Sequence, residues 1–134
     1  LYNKTYDLLK NSNAAIVTSG TATLETALIG TPQIVCYATN SLNMFLAKLF
    51  VKINFISLVN LILNKEVVKE LIQSECHTSS IVSELRLVLE ENNVARIVSE
   101  YEKLIDSIGP VGCFQQIAKI IYSDLLVIKK HAKI

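Results

Sequence analysis

The sequence predicts an α/β domain with parallel strands and more helix than strand. Two observations carry that prediction. A short apolar run at 14–17 leads into the small-residue turn Ser19-Gly20-Thr21, then a helical stretch, then a second apolar run, Gln33-Ile34-Val35-Cys36-Tyr37. Strand, helix and strand within about 25 residues demand a parallel pair with a crossover, which is right-handed in nearly all folds. The second half of the chain instead repeats apolar residues at helical spacing. Two strands cannot stand as a sheet alone, so further strands are expected.

Taken in order, residues 5–10 read as a helix and 14–18 as a buried strand. Residues 21–29 form the crossover helix, stopped by a left-handed Gly30 and by Pro32, and 33–37 form the next strand. Leu42, Phe45, Leu46, Leu49 and Phe50 mark an amphipathic helix ending near Lys52. It either packs on the core with Lys48 and Lys52 solvated or rests on anionic lipid. Residues 55–58 read as a short third strand and 60–64 as a loop. Val67, Val68, Leu71 and Ile72 mark a short helix. Residues 78–80 cap a helix carrying Ile81, Leu85 and Val88, and Val94 to Ile108 hold another. Gly109-Pro110-Val111-Gly112 breaks the chain before a last helix with Ile117, Ile120, Ile121, Leu125 and Ile128 on one face. Lys129, Lys130, His131 and Lys133 make a basic tail.

Bulk properties narrow the function. A length of 134 residues suits one modest domain, and a hydrophobic fraction of 51% excludes disorder. Thirteen Lys and Arg against 12 Asp and Glu give no general case for nucleic acid binding. Cys36, Cys76 and Cys113 are widely spaced and lack a C-x-x-C pair. A disulfide framework and a structural zinc site are therefore not expected, and a reducing compartment is. No stretch resembles a signal peptide, and Lys48, Lys52, Asn54 and Asn60 interrupt the longest apolar stretch, so no spanning helix is expected. The chain begins at Leu1, close to a helix-like segment, which suggests a fragment cut inside a domain.

Several residues are candidates for chemistry. Ser19, Gly20, Thr21, Ala22 and Thr23 form a turn whose small residues let a diphosphate approach the backbone at a helix N-terminus. The same residues also suit an ordinary strand-to-helix turn. Neither G-x-G-x-x-G nor a P-loop lysine is present. Glu25 either serves its own helix dipole or accepts hydrogen bonds from ribose hydroxyls; a capping box is excluded because Ala22 stands where Ser or Thr is needed. Asn60 lies in an apolar run and either secures its own loop or faces a ligand cleft. Glu66 and Gln73, seven apart, share a face of the expected helix, as two solvated residues also would. His77 and His131 lack neighbours for a metal site or catalytic pair.

Together Ser19-Gly20-Thr21-Ala22-Thr23-Leu24-Glu25, Gly30-Thr31-Pro32, Ile56-Ser57-Leu58-Val59-Asn60-Leu61 and Glu66-Val67-Val68-Lys69-Glu70-Leu71-Ile72-Gln73 resemble the lipid-A-disaccharide synthase family in order and spacing. The resemblance runs from about Tyr6 to Leu126 and corresponds to the C-terminal third of a full-length member. It implies a partial Rossmann-like C-terminal domain of a GT-B glycosyltransferase over residues 1–112, followed by a crossover or subunit-swapped helix and the basic tail over 113–134. It further implies transfer of 2,3-diacylglucosamine from its UDP conjugate to 2,3-diacylglucosamine 1-phosphate, at the cytoplasmic face of the inner membrane and without metal or other cofactor. Ser19 to Thr23 would then hold the diphosphate side, Glu25 the ribose, and Asn60, Glu66 and Gln73 would line the substrate cleft. The base would belong to a missing N-terminal domain. A homodimer through the last helix is one arrangement compatible with this. Val59 replaces a common Pro, and Asn64-Lys65 replaces a common Gly-Arg; Lys lacks Arg's bidentate grip on phosphate. The alternatives are a non-catalytic nucleotide-binding module, a related UDP-N-acetylglucosamine transferase, and a structural helical domain.

Overall fold

The computed structural model describes residues 3–18, 20–38, 54–109 and 112–131. Ser19, Lys133 and the helix expected over 42–52 lie outside the described residues. The elements run α1 (Thr5–Lys10), β1 (Ala15–Thr18), α2 (Thr21–Ile29), β2 (Gln33–Tyr37), α3 (Leu58–Leu63), β3 (Lys69–Ile72), a 3₁₀ turn (Gln73–Glu75), α4 (Thr78–Val88), α5 (Glu91–Ile108) and α6 (Cys113–His131). The strands form one parallel sheet in the order β1-β2-β3. This is a helix-rich α/β fold, consistent with part of a Rossmann-like domain.

Residues of β2 are buried by helices above and below. Gln33, Ile34 and Val35 are each fully buried, which suits a central strand between two parallel neighbours. Helices α2, α3 and α5 pack together beside the sheet, while α4 packs on β2 and β3. Ile34, Val35, Val59, Ile97, Tyr101 and Leu104 hold the centre of the core. At β1 the cover stops: Ile16 pairs in register with Ile34 yet is 55% exposed. Gly30 ends α2 in the left-handed conformation, φ 89°, as its position after the last periodic residue predicts.

The middle of the chain departs from the sequence expectation. Residues 58–63, expected as strand end and loop, are helix α3. Residues 69–72, expected as helix, are the strand β3. A strand buried on both faces reads as an unbroken apolar run, so Val67, Val68, Leu71 and Ile72 satisfy either period. The start of α4 is also set differently: His77 caps it, with Nδ1 accepting from the Ser80 N–H at 3.3 Å.

Candidate nucleotide site

Because all three strands are parallel, their carboxyl ends share one edge of the sheet. Ligands of open α/β sheets bind at that edge. Here it is formed by the turn after Thr18, by the chain leaving Tyr37, and by Gln73 just past Ile72. Gly20 sits at the mouth of α2 with φ 140° and ψ −162°, a conformation nearly restricted to glycine. Among the described residues no side chain caps α2 at Gly20, and Thr21 and Ala22 are exposed.

Thr23 is placed differently from its neighbours. Its side chain is fully buried, and its hydroxyl donates to the Gly20 carbonyl at 2.8 Å. The hydroxyl thus shapes the turn from within. Beneath it, Gln33 Nε2 donates to the Thr23 carbonyl at 2.9 Å and to the Tyr101 hydroxyl at 3.2 Å. Burial pushes the Tyr101 phenol well above its ordinary value, so it stays neutral in this network.

Glu25 lies one helical turn further along α2 and is exposed. Its Oε2 accepts a hydrogen bond from the Tyr6 hydroxyl of α1 at 3.1 Å. An open cleft of about 470 Å³ lies beside this pair, lined by Asn3, Lys4, Thr5, Tyr6, Asp7 and Glu25. A wider, shallower cleft of about 850 Å³ runs along α4 past His77, Ser79 and Arg86, and holds none of the motif residues.

The three residues expected to line the substrate cleft are not brought together. Asn60 is fully buried. Its Nδ2 donates to the Val68 carbonyl and to Glu70 Oε1, both at 2.8 Å. Its Oδ1 accepts from the N–H groups of Val67 and Val68, at 2.8 and 3.1 Å. Of the two readings of Asn60, the loop-securing one is what the geometry displays. Glu66 is exposed, pairs with Lys69 at 3.1 Å, and precedes the amino end of β3. Gln73 follows the carboxyl end of β3, with φ 53°. A strand of this length spans about 13 Å, so the shared helical face expected for Glu66 and Gln73 does not exist. Of the two, Gln73 lies at the carboxyl edge of the sheet.

Sequence reasoning passed over two residues that organise this region, Tyr6 and Glu70. Glu70 had a signal: a carboxylate inside an apolar run must find partners if it is buried. Tyr6 had none, since an exposed aromatic on a short helix is unremarkable until its partner is known.

A parallel α/β sheet whose first strand leads through a glycine turn into a helix, with an exposed carboxylate on that helix, is an arrangement that nucleotide-binding α/β domains share. Residues 1–119 match the sequence profile of the lipid-A-disaccharide synthetase family, and the chain belongs to that family. A lipid-A-disaccharide synthase of Sulfurihydrogenibium sp. is 34% identical over 120 residues, covering 89% of this chain and 31% of that protein. One of Persephonella marina is 36% identical over 117 residues, covering 87% and 31%. One of Wigglesworthia glossinidia brevipalpis is 43% identical over 89 residues, covering 66% and 23%. The chain thus spans about a third of the length of the first two relatives.

Proposed function

We propose that this chain is the nucleotide-sugar-binding part of a lipid-A-disaccharide synthase. The observation that carries the reading is the family membership of a chain whose α2 opens at Gly20 with Glu25 exposed on the same helix. In this reading the first-turn N–H groups of Thr21 and Ala22, with Ser19 and Gly20, hold the diphosphate of UDP-2,3-diacylglucosamine. The positive end of the α2 dipole favours the same anion. Glu25 accepts hydrogen bonds from the ribose. Gln73 approaches from the carboxyl end of β3, and Asn60 acts through the loop it secures.

The reaction is an inverting displacement at the anomeric carbon by a hydroxyl of 2,3-diacylglucosamine 1-phosphate. It needs a base on that hydroxyl and donors for the departing UDP. The N–H groups of α2 supply part of the second need; the base belongs to the other half of the enzyme. The 134-residue piece alone is therefore expected to make no disaccharide. In this reading the acyl chains of both substrates bring the enzyme to a membrane surface, taken here as the cytoplasmic face of the inner membrane. Among the described residues no helix is long and apolar enough to cross a membrane.

Uncovered apolar surface supports a larger assembly. On α6, Ile117, Ile120, Ile121, Leu125 and Ile128 are 51–63% exposed in one helix, more than solvent ordinarily tolerates in one patch. Residues 113–134 cover the N-terminal domain or a partner subunit in this reading, giving a homodimer in the second case. The deciding experiment is amide protection of the full-length protein on titration with UDP. Protection around residues 20–25 is expected. Its absence at saturating UDP would leave the turn as structure only and the reading without support.

A further inference from the structure

Glu25 does not stand alone at its cleft. It is an exposed side chain in the middle of α2, and by itself it would sample several rotamers. The Tyr6 hydroxyl reaches it from α1, nineteen residues away in sequence, and donates to Oε2 at 3.1 Å. A carboxylate has about four acceptor sites on its two oxygens. Tyr6 takes one of them, and among the described residues no side chain donates to Oε1. The neighbouring carboxylate also holds the Tyr6 phenol above its ordinary value, so the hydroxyl stays a donor through neutral pH. The cleft that Glu25 lines is walled on its other side by the first residues of α1.

We infer that Tyr6 is a positioning residue: it fixes the Glu25 carboxylate so that Oε1 is presented to the vicinal diol of a nucleoside diphosphate. This rests on the nucleotide-binding reading above. Tyr6 touches no reacting atom; it acts through Glu25. Its contribution should therefore appear in the discrimination between a ribose and a sugar lacking its hydroxyls, not in diphosphate affinity.

The test measures binding of UDP and of 2′,3′-dideoxy-UDP to the full-length protein, as wild type, Tyr6→Phe and Glu25→Gln. Wild type is expected to prefer UDP by about tenfold, the ratio one well-placed hydrogen bond supports. Tyr6→Phe should cut that preference to about threefold and leave dideoxy-UDP affinity unchanged, since the ring is retained. Glu25→Gln should remove most of the preference. A wild type that binds no UDP, or shows no preference, overturns the nucleotide reading itself. A wild-type preference retained in full by Tyr6→Phe overturns only the role of Tyr6. Equal weakening of both ligands by Tyr6→Phe overturns it too, because that is loss of packing. Circular dichroism of each variant against wild type, with Tyr6→Leu as a second variant, separates misfolding from loss of the hydrogen bond.

Discussion

Asn60 and Glu70 are joined by a hydrogen bond of 2.8 Å from Nδ2 to Oε1, and both are buried. The same carboxylate accepts from the N–H groups of Ile56 and Ser57, at 2.8 and 2.9 Å, and from the Ser57 hydroxyl at 2.7 Å. One acidic side chain on β3 thus terminates the N-terminus of α3 and anchors the amide that ties α3 back to the start of β3. A six-residue helix has little stability of its own, so this network holds it.

Glu70→Gln replaces one of the two acceptor oxygens by a donor: with its carbonyl kept toward Ser57 and Asn60, the new NH2 group faces the Ile56 N–H. It is expected to destabilise the fold by about 2–4 kcal/mol. Asn60→Ala removes the side-chain partner of the Val68 N–H and carbonyl and leaves the Val67 N–H only the Lys65 carbonyl at 3.0 Å, and should cost about 3 kcal/mol. Urea midpoints read both. Because the two side chains share one bond, the double variant should cost less than the sum.

Gly20→Ala has room for its methyl, since nothing lies within 4 Å of the added carbon. The backbone at φ 140° is the obstacle. A loss of about 1–3 kcal/mol is expected. UDP affinity should fall as well, because relief of the strain moves the first N–H groups of α2. A variant as stable as wild type in thermal melts would show that this turn carries no strain.

Glu100 accepts from Lys65 at 2.8 Å and from Lys103 at 2.9 Å. The two ammonium groups lower its pKa from 4.5 to about 2. The folded value lies below the unfolded one, so the stabilisation is complete above about pH 4.5 and is lost as pH falls toward 2. Glu100→Gln should flatten this part of the acid limb in a pH series of urea melts. High salt should shrink the difference, since both lysines are more than half exposed. Lys65 is thereby committed to an ion pair on α5.

Cys36 lies near the carboxyl end of β2 beside Cys76, and both are free thiols. Burial, with a smaller contribution from the Cys76 sulfur, pushes the Cys36 thiol up to about 11. Little thiolate is present at pH 8, so alkylation of Cys36 by iodoacetamide should be at least about tenfold slower than that of an ordinary exposed thiol. Peptide mass spectrometry over a time course checks this.

Legibility in the sequence followed the number of physical constraints on each segment. Residues 15–37 were readable because small turn residues, a glycine stop and a proline all fall at fixed offsets around two apolar runs. The amphipathic α5 was readable for the same reason, with Ile97, Tyr101 and Leu104 on one buried face. The segment 55–73 was not. Its apolar residues fit a helix and a doubly covered strand equally, and the arbiter, Glu70, could be interpreted only once its partners were known.

Residue order alone is enough for an α/β class, the turn at Gly20 with its following helix, and the likeness that leads to the family. Those are local matters of chain conformation and residue order. What the polar residues do depends on the packed fold. Burial turned Thr23 and Asn60 inward, the parallel register put Gln73 and Glu66 at opposite ends of one strand, and α1 brought Tyr6 onto Glu25. Hydrogen bonds between residues distant in sequence leave no periodic trace in the chain, and so only the fold could assign them.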